Sequence, residues 1–578
     1  MATTTKSQDL ACNMNELLSR ETEAQISNSS GRKGGWITFP FIIGNWIGMA
    51  LSSGGVFANL IVYLIREFNV KSIDAAQISN VVSGCIGFFP IIGAIIADSF
   101  LGCFSVVLIS SCFSLVGSVL FALTATLDSL RPPPCEDGGS SLCKSPSKLQ
   151  LAVLYTGIAV ASIGIGGSRS TIATMGANQF DKYKDQETFF NWYFFTMYTS
   201  AVTSATVIVY VEDNVSWRLG FGLCTALSLI GVLIFVSGKR FYRQGKPQGS
   251  PFMGLAGVAV ACIKKRKLSS SSRTEDYYHG HDDHDSATRV DTQPTKTFRF
   301  LNRAAMKVEG DLTQNGSIAK PWRLSTVQQV EDFKTLLRLS PLWLSSILLS
   351  TPIAIQGSLT ILQTLTMDRH LFGSHFKIPA GSFSVLVFIS TSIFLTLLDR
   401  LIYPTWQNLT RRSPPTPLLR IGIGHVVNIL GMAVSAIVES KRLKMVHSYN
   451  QQRPMLALWL FPQLILVGIG EAFHFPGQVS LYYQEFPASL RNTATAMVIL
   501  VTGIAFYLST AFIDVVRRVT GWLPDNINDG RLDKVYWTVV VLGVLNFGYY
   551  LICAKLYKYQ NVNGKSAKVV VVVVDANS

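Results

Sequence analysis

Apolar side chains fall along this chain in about twelve runs of roughly twenty residues, broken by short polar stretches and one long one. The runs lie near 37–65, 76–97, 104–127, 149–175, 190–211, 217–238, 339–363, 380–402, 417–438, 455–476, 493–515 and 535–556. About twenty helical residues cross a hydrocarbon core of roughly 30 Å. Segments this apolar must pair their own backbone groups in lipid, which makes them helices, and the short alternating strands of a membrane barrel are missing. The pattern predicts an all-α polytopic membrane protein, with six spans on each side of the long polar stretch. The organisation expected is a tail over 1–34, a six-helix bundle over 35–240, a linker over 241–335 with an amphipathic helix near 325–338, a second six-helix bundle over 336–558 and a tail over 559–578.

Composition agrees: of 578 residues 48% are hydrophobic and only 15% charged, and the mean hydropathy is +0.32. The net charge of +15 would suit nucleic acid if it were gathered on one soluble face. Instead much of it sits between spans. Lys264-Lys-Arg-Lys267 lies in the longest polar stretch, which the positive-inside rule puts in the cytosol together with both termini. One segment disagrees, because Glu439-Ser-Lys-Arg-Leu-Lys444 reads as a basic loop on the outer side. The N-terminal tail has no apolar core of the secretory kind. Cys135 and Cys143 share a loop that this topology puts outside, where a disulfide persists, whereas Cys85, Cys112, Cys224 and Cys553 fall in spans as packing residues. Three histidines among acids in His279-Gly-His-Asp-Asp-His-Asp285 read as linker, and no metal or cofactor is expected.

Polar residues inside the runs carry the chemistry. Between Leu149 and Met175 the only charge is Arg169, which follows glycines at 164, 166 and 167. A guanidinium on a membrane helix costs several kcal/mol unless it meets a partner or a wet cavity. Glu471, in Gly468-Ile-Gly-Glu471, is the single acid of the tenth run. Each half thus places one glycine-flanked charge deep in a span, with opposite signs: a switching pair or a fixed buried one. Gln356, Thr360 and Gln363 recur at helical intervals and share a face, as interhelix glue or as pocket wall. Asp98, between Gly93 and Gly102, is a gate hinge or a plain helix-end acid. The cluster Phe189 to Phe195 reads as an interfacial belt, with Tyr193 and Tyr198 needing hydroxyl partners if buried. Ser325-Thr-Val-Gln328 has capping-box spacing ahead of the seventh run.

These residues, with Met367-Asp-Arg369, Lys377-Ile-Pro-Ala380, Asp399-Arg400, Pro321-Trp-Arg-Leu324, Phe189 to Trp192, Gly164 to Phe180 and Gln484-Glu-Phe-Pro487, give the chain a resemblance over almost its whole length. It resembles the plant nitrate/peptide transporter family, a branch of the proton-dependent oligopeptide transporters with the major facilitator fold. Gly34-Gly-Trp-Ile-Thr-Phe-Pro40, Asn69-Val-Lys-Ser-Ile73 and Arg299-Phe-Leu-Asn-Arg303 look closest to its nitrate excretion transporters. The resemblance implies that Arg169 on the fourth helix faces Glu471 on the tenth. With the residue readings above, substrate contacts are expected at Arg169, Glu471, Gln356, Thr360, Tyr198 and Trp46, and gate residues at Asp98, Gly93, Gly102, Asp399 and Arg400.

The departures from that family change the expected function. Proton-coupled members carry two acids and a base on the first helix after a Gly-Asn pair. Here Gly44-Asn45 is followed by Trp46, Met49 and Ala50, and no acid or base occurs from Gly35 to Leu64. Losing two negatives and one positive favours anions. The nitrate-sensing histidine of the seventh helix has no counterpart near Ile353. The expectation is a plasma-membrane transporter of small inorganic anions, nitrate first and chloride second, passive and outward-directed, with the lipid bilayer as its other partner and no nucleic acid. A transport-deficient sensor of the same fold is the third reading.

Overall fold

The computed structural model describes residues 33–133, 144–243, 251–268, 273–280, 294–313, 318–320, 322–371, 376–411, 415–448, 454–486 and 494–557. The disulfide expected between Cys135 and Cys143 lies outside them, as does most of the histidine tract. Eleven helical stretches are long and apolar enough to cross a membrane, and one of these, Ser72–Thr126, has 55 residues. It turns at Gly102, whose φ of +74° is a conformation only glycine adopts without strain. The two arms run in opposite directions along Lys148–Arg169. Positions 74 to 89 ascend beside 155 to 163, while Ser110, Ser114 and Gly117 descend past Gly167, Gly164 and Ala161. The chain therefore has twelve spans among the described residues.

In order the spans are Phe39–Ala58 continued as Leu60–Phe68, Ser72–Ile96, Gly102–Thr126, Lys148–Arg169, Tyr183–Thr203 continued to Asn214, Trp217–Ser237, Val327–Leu365, Val385–Leu397, Pro417–Val446, Phe461–Glu485, Ala494–Thr520 and Leu532–Leu556. They are called the first to twelfth spans below. Small residues set how closely they pack. A methyl group on Gly164 would lie 2.3 Å from the backbone nitrogen of Ser114, and one on Gly87 would lie 2.5 Å from Gly503 in the eleventh span. Without a hydrophobic force between helices in lipid, such backbone approach is what holds the spans together.

At one end the chain segments 33–35, 179–181 and 241–243 are tied together. Gly34 and Gly35 donate to Phe241 O and Gln179 O at 2.8 and 2.7 Å, and Arg243 bonds Asp181 at 2.5 Å. That hydrogen bond and charge hold the Asp181 carboxyl below the ordinary carboxylate range. The linker lies at this end too. Its described part folds around Val258, Ala261, Leu301 and Val330, with Lys265 paired to Asp311 at 2.7 Å, both almost fully buried. The helix that follows is continuous with the seventh span, and its capping box falls one residue later than the spacing suggested. Thr326 and Gln329 form it, because the backbone of Ser325 is already committed to Ala304 O.

The conflicting basic segment has a physical explanation. The ninth span does not end near 438 but runs to Val446, so Glu439 and Arg442 are one turn apart inside the protein. Arg442 is 1% exposed and grips Glu439 through two bonds of 2.7 and 2.8 Å. Arg442 Nη1 also donates to Thr366 and to Asn528, and the Gln363 amide donates to Glu439. A neutralised, buried arginine has no weight in a rule about loop charges. Arg442→Met would strand Glu439 without its cation and is expected to cost about 3–5 kcal/mol. A fall in the thermal unfolding midpoint of solubilised protein reads this, and Glu439→Gln added to Arg442→Met should restore most of it.

Candidate functional site

The fourth span starts at a capping box, Ser147 with Gln150, and stops at Arg169. The break there is pinned from two sides. The Ser170 hydroxyl donates to Pro90 O of the second span at 2.9 Å, and the Tyr193 hydroxyl of the fifth donates to Arg169 O at 2.9 Å. Tyr193 in turn stacks on Trp46 with ring centroids 5.0 Å apart. The aromatic cluster around it is thus divided: Phe189 and Tyr193 are buried, while Trp192, Phe194 and Phe195 face outward as a belt would.

So positioned, the Arg169 side chain lines a cavity of about 520 Å³ between the two halves. Glu471 of the tenth span lines the same cavity, and among the described residues these two are its only charged wall residues. Neither takes part in an ion pair of the described residues. The cavity holds roughly a dozen or more water volumes at about 30 Å³ each, so its size alone selects no small solute. Trp46 and Ala50 form the wall where charged groups were expected to be missing, and Met49 turns away to accept a hydrogen bond from Ser111 at 3.1 Å. The Trp46 indole nitrogen is buried behind the wall and has no partner among the described residues.

The polar face of the seventh span divides between both of its readings. Gln356 lines the cavity and donates to Ser435 Oγ of the ninth span at 2.8 Å. Thr360 does not reach the cavity: it is buried one turn further on beside Tyr536. Gln363 is glue, bonded to Glu439 and Tyr536. Tyr198 is not a lining residue either, but it lies within electrostatic reach of both Glu471 and Arg169. Wall residues that sequence did not single out include Asn80, Ser358 and Phe506, and the Asn80 amide donates to Ser358 across the halves at 3.2 Å.

Gate candidates take two kinds of position. Gly93 is a close-packing residue, since a methyl group there would lie 2.4 Å from Gly167 O. Asp98 and the pair Asp399 and Arg400 sit in corresponding π-turns, Ala97–Leu101 and Leu398–Ile402, at the linker end of the second and eighth spans. No described ion pair joins the halves at that end. At the opposite end several do. Asp213 is shared by Arg66 and by Arg369, the latter at 3.2 Å and belonging to the other half. Arg517 holds Asp74 at 2.5 Å and Lys71 holds Asp525 at 2.7 Å. Burial pulls the Arg369 guanidinium below its ordinary value, with Asp213 opposing that shift. The halves are therefore latched at the face away from the linker.

Comparison with known proteins gives one consistent answer. Residues 104–528 match the family described as POT family. The chain is similar to Protein NRT1/PTR FAMILY 2.7 of Arabidopsis thaliana, 55% identical over 554 residues, covering 95% of this chain and 97% of that one. It is likewise similar to Protein NRT1/PTR FAMILY 2.6 of Arabidopsis thaliana at 54% identity, covering 95% and 98%. Among solved structures, an auto-inhibited POT family peptide transporter superposes with a TM-score of 0.65 at 17% identity, covering 90% of this chain and 97% of that chain.

The latch can be tested by its weakest assumption, that burial makes one pair dominant. Asp213→Asn leaves Arg369 buried without its anion and should cost the closed face about 3–5 kcal/mol. Asp74→Asn, at a pair half in water, should cost about 1 kcal/mol or less. Amide exchange across 376–386, the segment facing the first half, is expected to rise strongly in the first variant and little in the second.

Proposed function

The chain belongs to the POT family of membrane transporters, and from that premise we propose that it passes small inorganic anions, nitrate foremost, by alternating access and in the outward direction. The observation that carries this reading is the free guanidinium of Arg169 in a cavity between the halves whose first-span wall holds no acid or base. Arg169 offers several donors in one plane to a planar oxyanion, and Trp46 and Gln356 line the same cavity. Tyr198 lies within electrostatic reach of both charges, behind the cavity wall. With no first-span carboxylate to take up a proton, the driving force is the anion's own electrochemical gradient. An inside-negative potential favours anion exit by about 2.3 kcal/mol per charge per 100 mV.

Placement in the plasma membrane with both termini and the linker in the cytosol is part of the proposal. The basic run from Lys264 to Lys267 supports it, and so does the clip of Arg243 on Asp181 that gathers the tail and two loops at one end. The π-turns at Asp98 and at Asp399 and Arg400 then mark the cytosolic mouth, where local register shifts accompany opening. Gly93 and Gly102 supply the close crossing and the turn that let the second and third spans move as one.

Ion-substitution electrophysiology in oocytes, or flux into liposomes, tests this directly. Nitrate current above background is expected, and competition with chloride ranks the two ions. Arg169→Ala should bring the current to background at unchanged surface abundance. Undiminished flux in that variant would remove Arg169 from the pathway.

A further inference from the structure

A second ionisable group lies deep in the first half, away from the cavity. Glu212, near the outer end of the fifth span, is 1% exposed and accepts a hydrogen bond from the Asn59 amide at 3.2 Å. Its other oxygen, Oε1, has no partner, and neither has Asn59 Oδ1, itself on a residue 1% exposed. A buried carboxylate oxygen and a buried amide oxygen, each left without a donor on two residues already joined by a hydrogen bond, are an unstable arrangement. One proton on Glu212 Oε1, donated to Asn59 Oδ1, satisfies both and closes a ring of two hydrogen bonds between a carboxylic acid and an amide.

Among the described residues, no cation is placed to neutralise the group. Asp213, next on the same helix, adds negative charge and keeps Arg66 and Arg369 for itself. From the first span the Tyr63 hydroxyl is engaged with Thr124 at 2.9 Å, and from the sixth the facing group is the Cys224 thiol. Gly220 leaves room for the Glu212 side chain, since a methyl group there would lie 2.2 Å from its Cγ. The lid of the site comes from the other half. Gly381, just before the eighth span, sits so close that a methyl group on it would lie 2.7 Å from Ala58 O and 3.1 Å from Asn59 Oδ1.

We propose that Glu212 and Asn59 form a proton-binding site that is occupied while the outer face is latched and emptied when that face opens. Opening takes Gly381 and Arg369 away with the second half and brings water to the carboxyl, which then ionises; closing returns a proton from outer water to Oε1. Because the latched state holds the additional proton, acid in the outer solution favours it and alkali favours the open state. The proton enters and leaves by the same face, so it changes how often the carrier turns over and not the force that drives the anion. This goes beyond the anion reading and does not depend on it.

The test uses the full chain in phosphatidylcholine vesicles with no nitrate or chloride present. Infrared difference spectra between the native protein and Glu212→Gln at neutral pH are expected to show the loss of one protonated carboxyl C=O band. Amide exchange in 376–386, corrected for intrinsic rates, should rise with pH in the native protein and stay at its acid level in Glu212→Gln. Identical carboxyl bands in the two proteins, or an unchanged pH dependence in the variant, would overturn the proposal. Should Glu212→Gln fail to accumulate, Asn59→Leu keeps the acid but removes its amide partner, and the same band is expected to move to higher frequency; an unmoved band is equally fatal. Neither readout involves anion flux, so absence of nitrate transport would leave this result standing and the reverse holds too.

Discussion

The arrangement of this protein depends on a guanidinium inside a membrane domain that has no ion-pair partner among the described residues. A charge there persists only if water, dipoles or a counter-ion reaches it. Arg169 meets that condition by ending its helix at the edge of a cavity of about 520 Å³ between the two halves. The rest of the first half serves this placement. The second span holds Ser170, the fifth holds the Arg169 carbonyl through Tyr193, and Trp46 braces Tyr193. Among the described residues, the acid in the facing half shares the cavity without pairing with the base, and on the proposed reading this leaves the cation to a solute.

The contrast with Arg442 shows what a permanent pair looks like in the same molecule. That arginine is bidentate to an acid one helical turn away, and its Nη1 donates to Thr366 and Asn528 as well. Such a pair fixes packing between the seventh, ninth and twelfth spans, and it has no solvent beside it. The outer latch is intermediate. Asp213 has two arginines to serve, one from each half, so parting the halves costs it one partner and leaves it another. A pair with an alternative partner is suited to opening, and one without is not.

Much of this was legible in the chain because lipid imposes simple rules. Runs of apolar residues located twelve spans, with the second and third joined through Gly102, and lone charges in those runs located Arg169 and Glu471. Contacts that join distant segments left no local trace: Asp213 and Arg369 are 156 residues apart and each looks like an ordinary helix-end charge. Glu439 and Arg442 misled because a basic stretch at the end of an apolar run reads as a loop, and only the added turn of helix shows it to be core. Thr360 had the right spacing for a wall residue, but a helix shared between two neighbours presents adjacent turns to different ones. Glu212 gave no signal because an acid at a span end is expected to be wet.

The central claim is that Arg169 is held by the substrate and not by Glu471, and anion binding to purified protein measures it most directly. Nitrate titrations in a gluconate background should show binding to the native protein, equal or tighter binding to Glu471→Gln, and none to Arg169→Gln. Loss of binding in Glu471→Gln, or its retention in Arg169→Gln, would contradict the account.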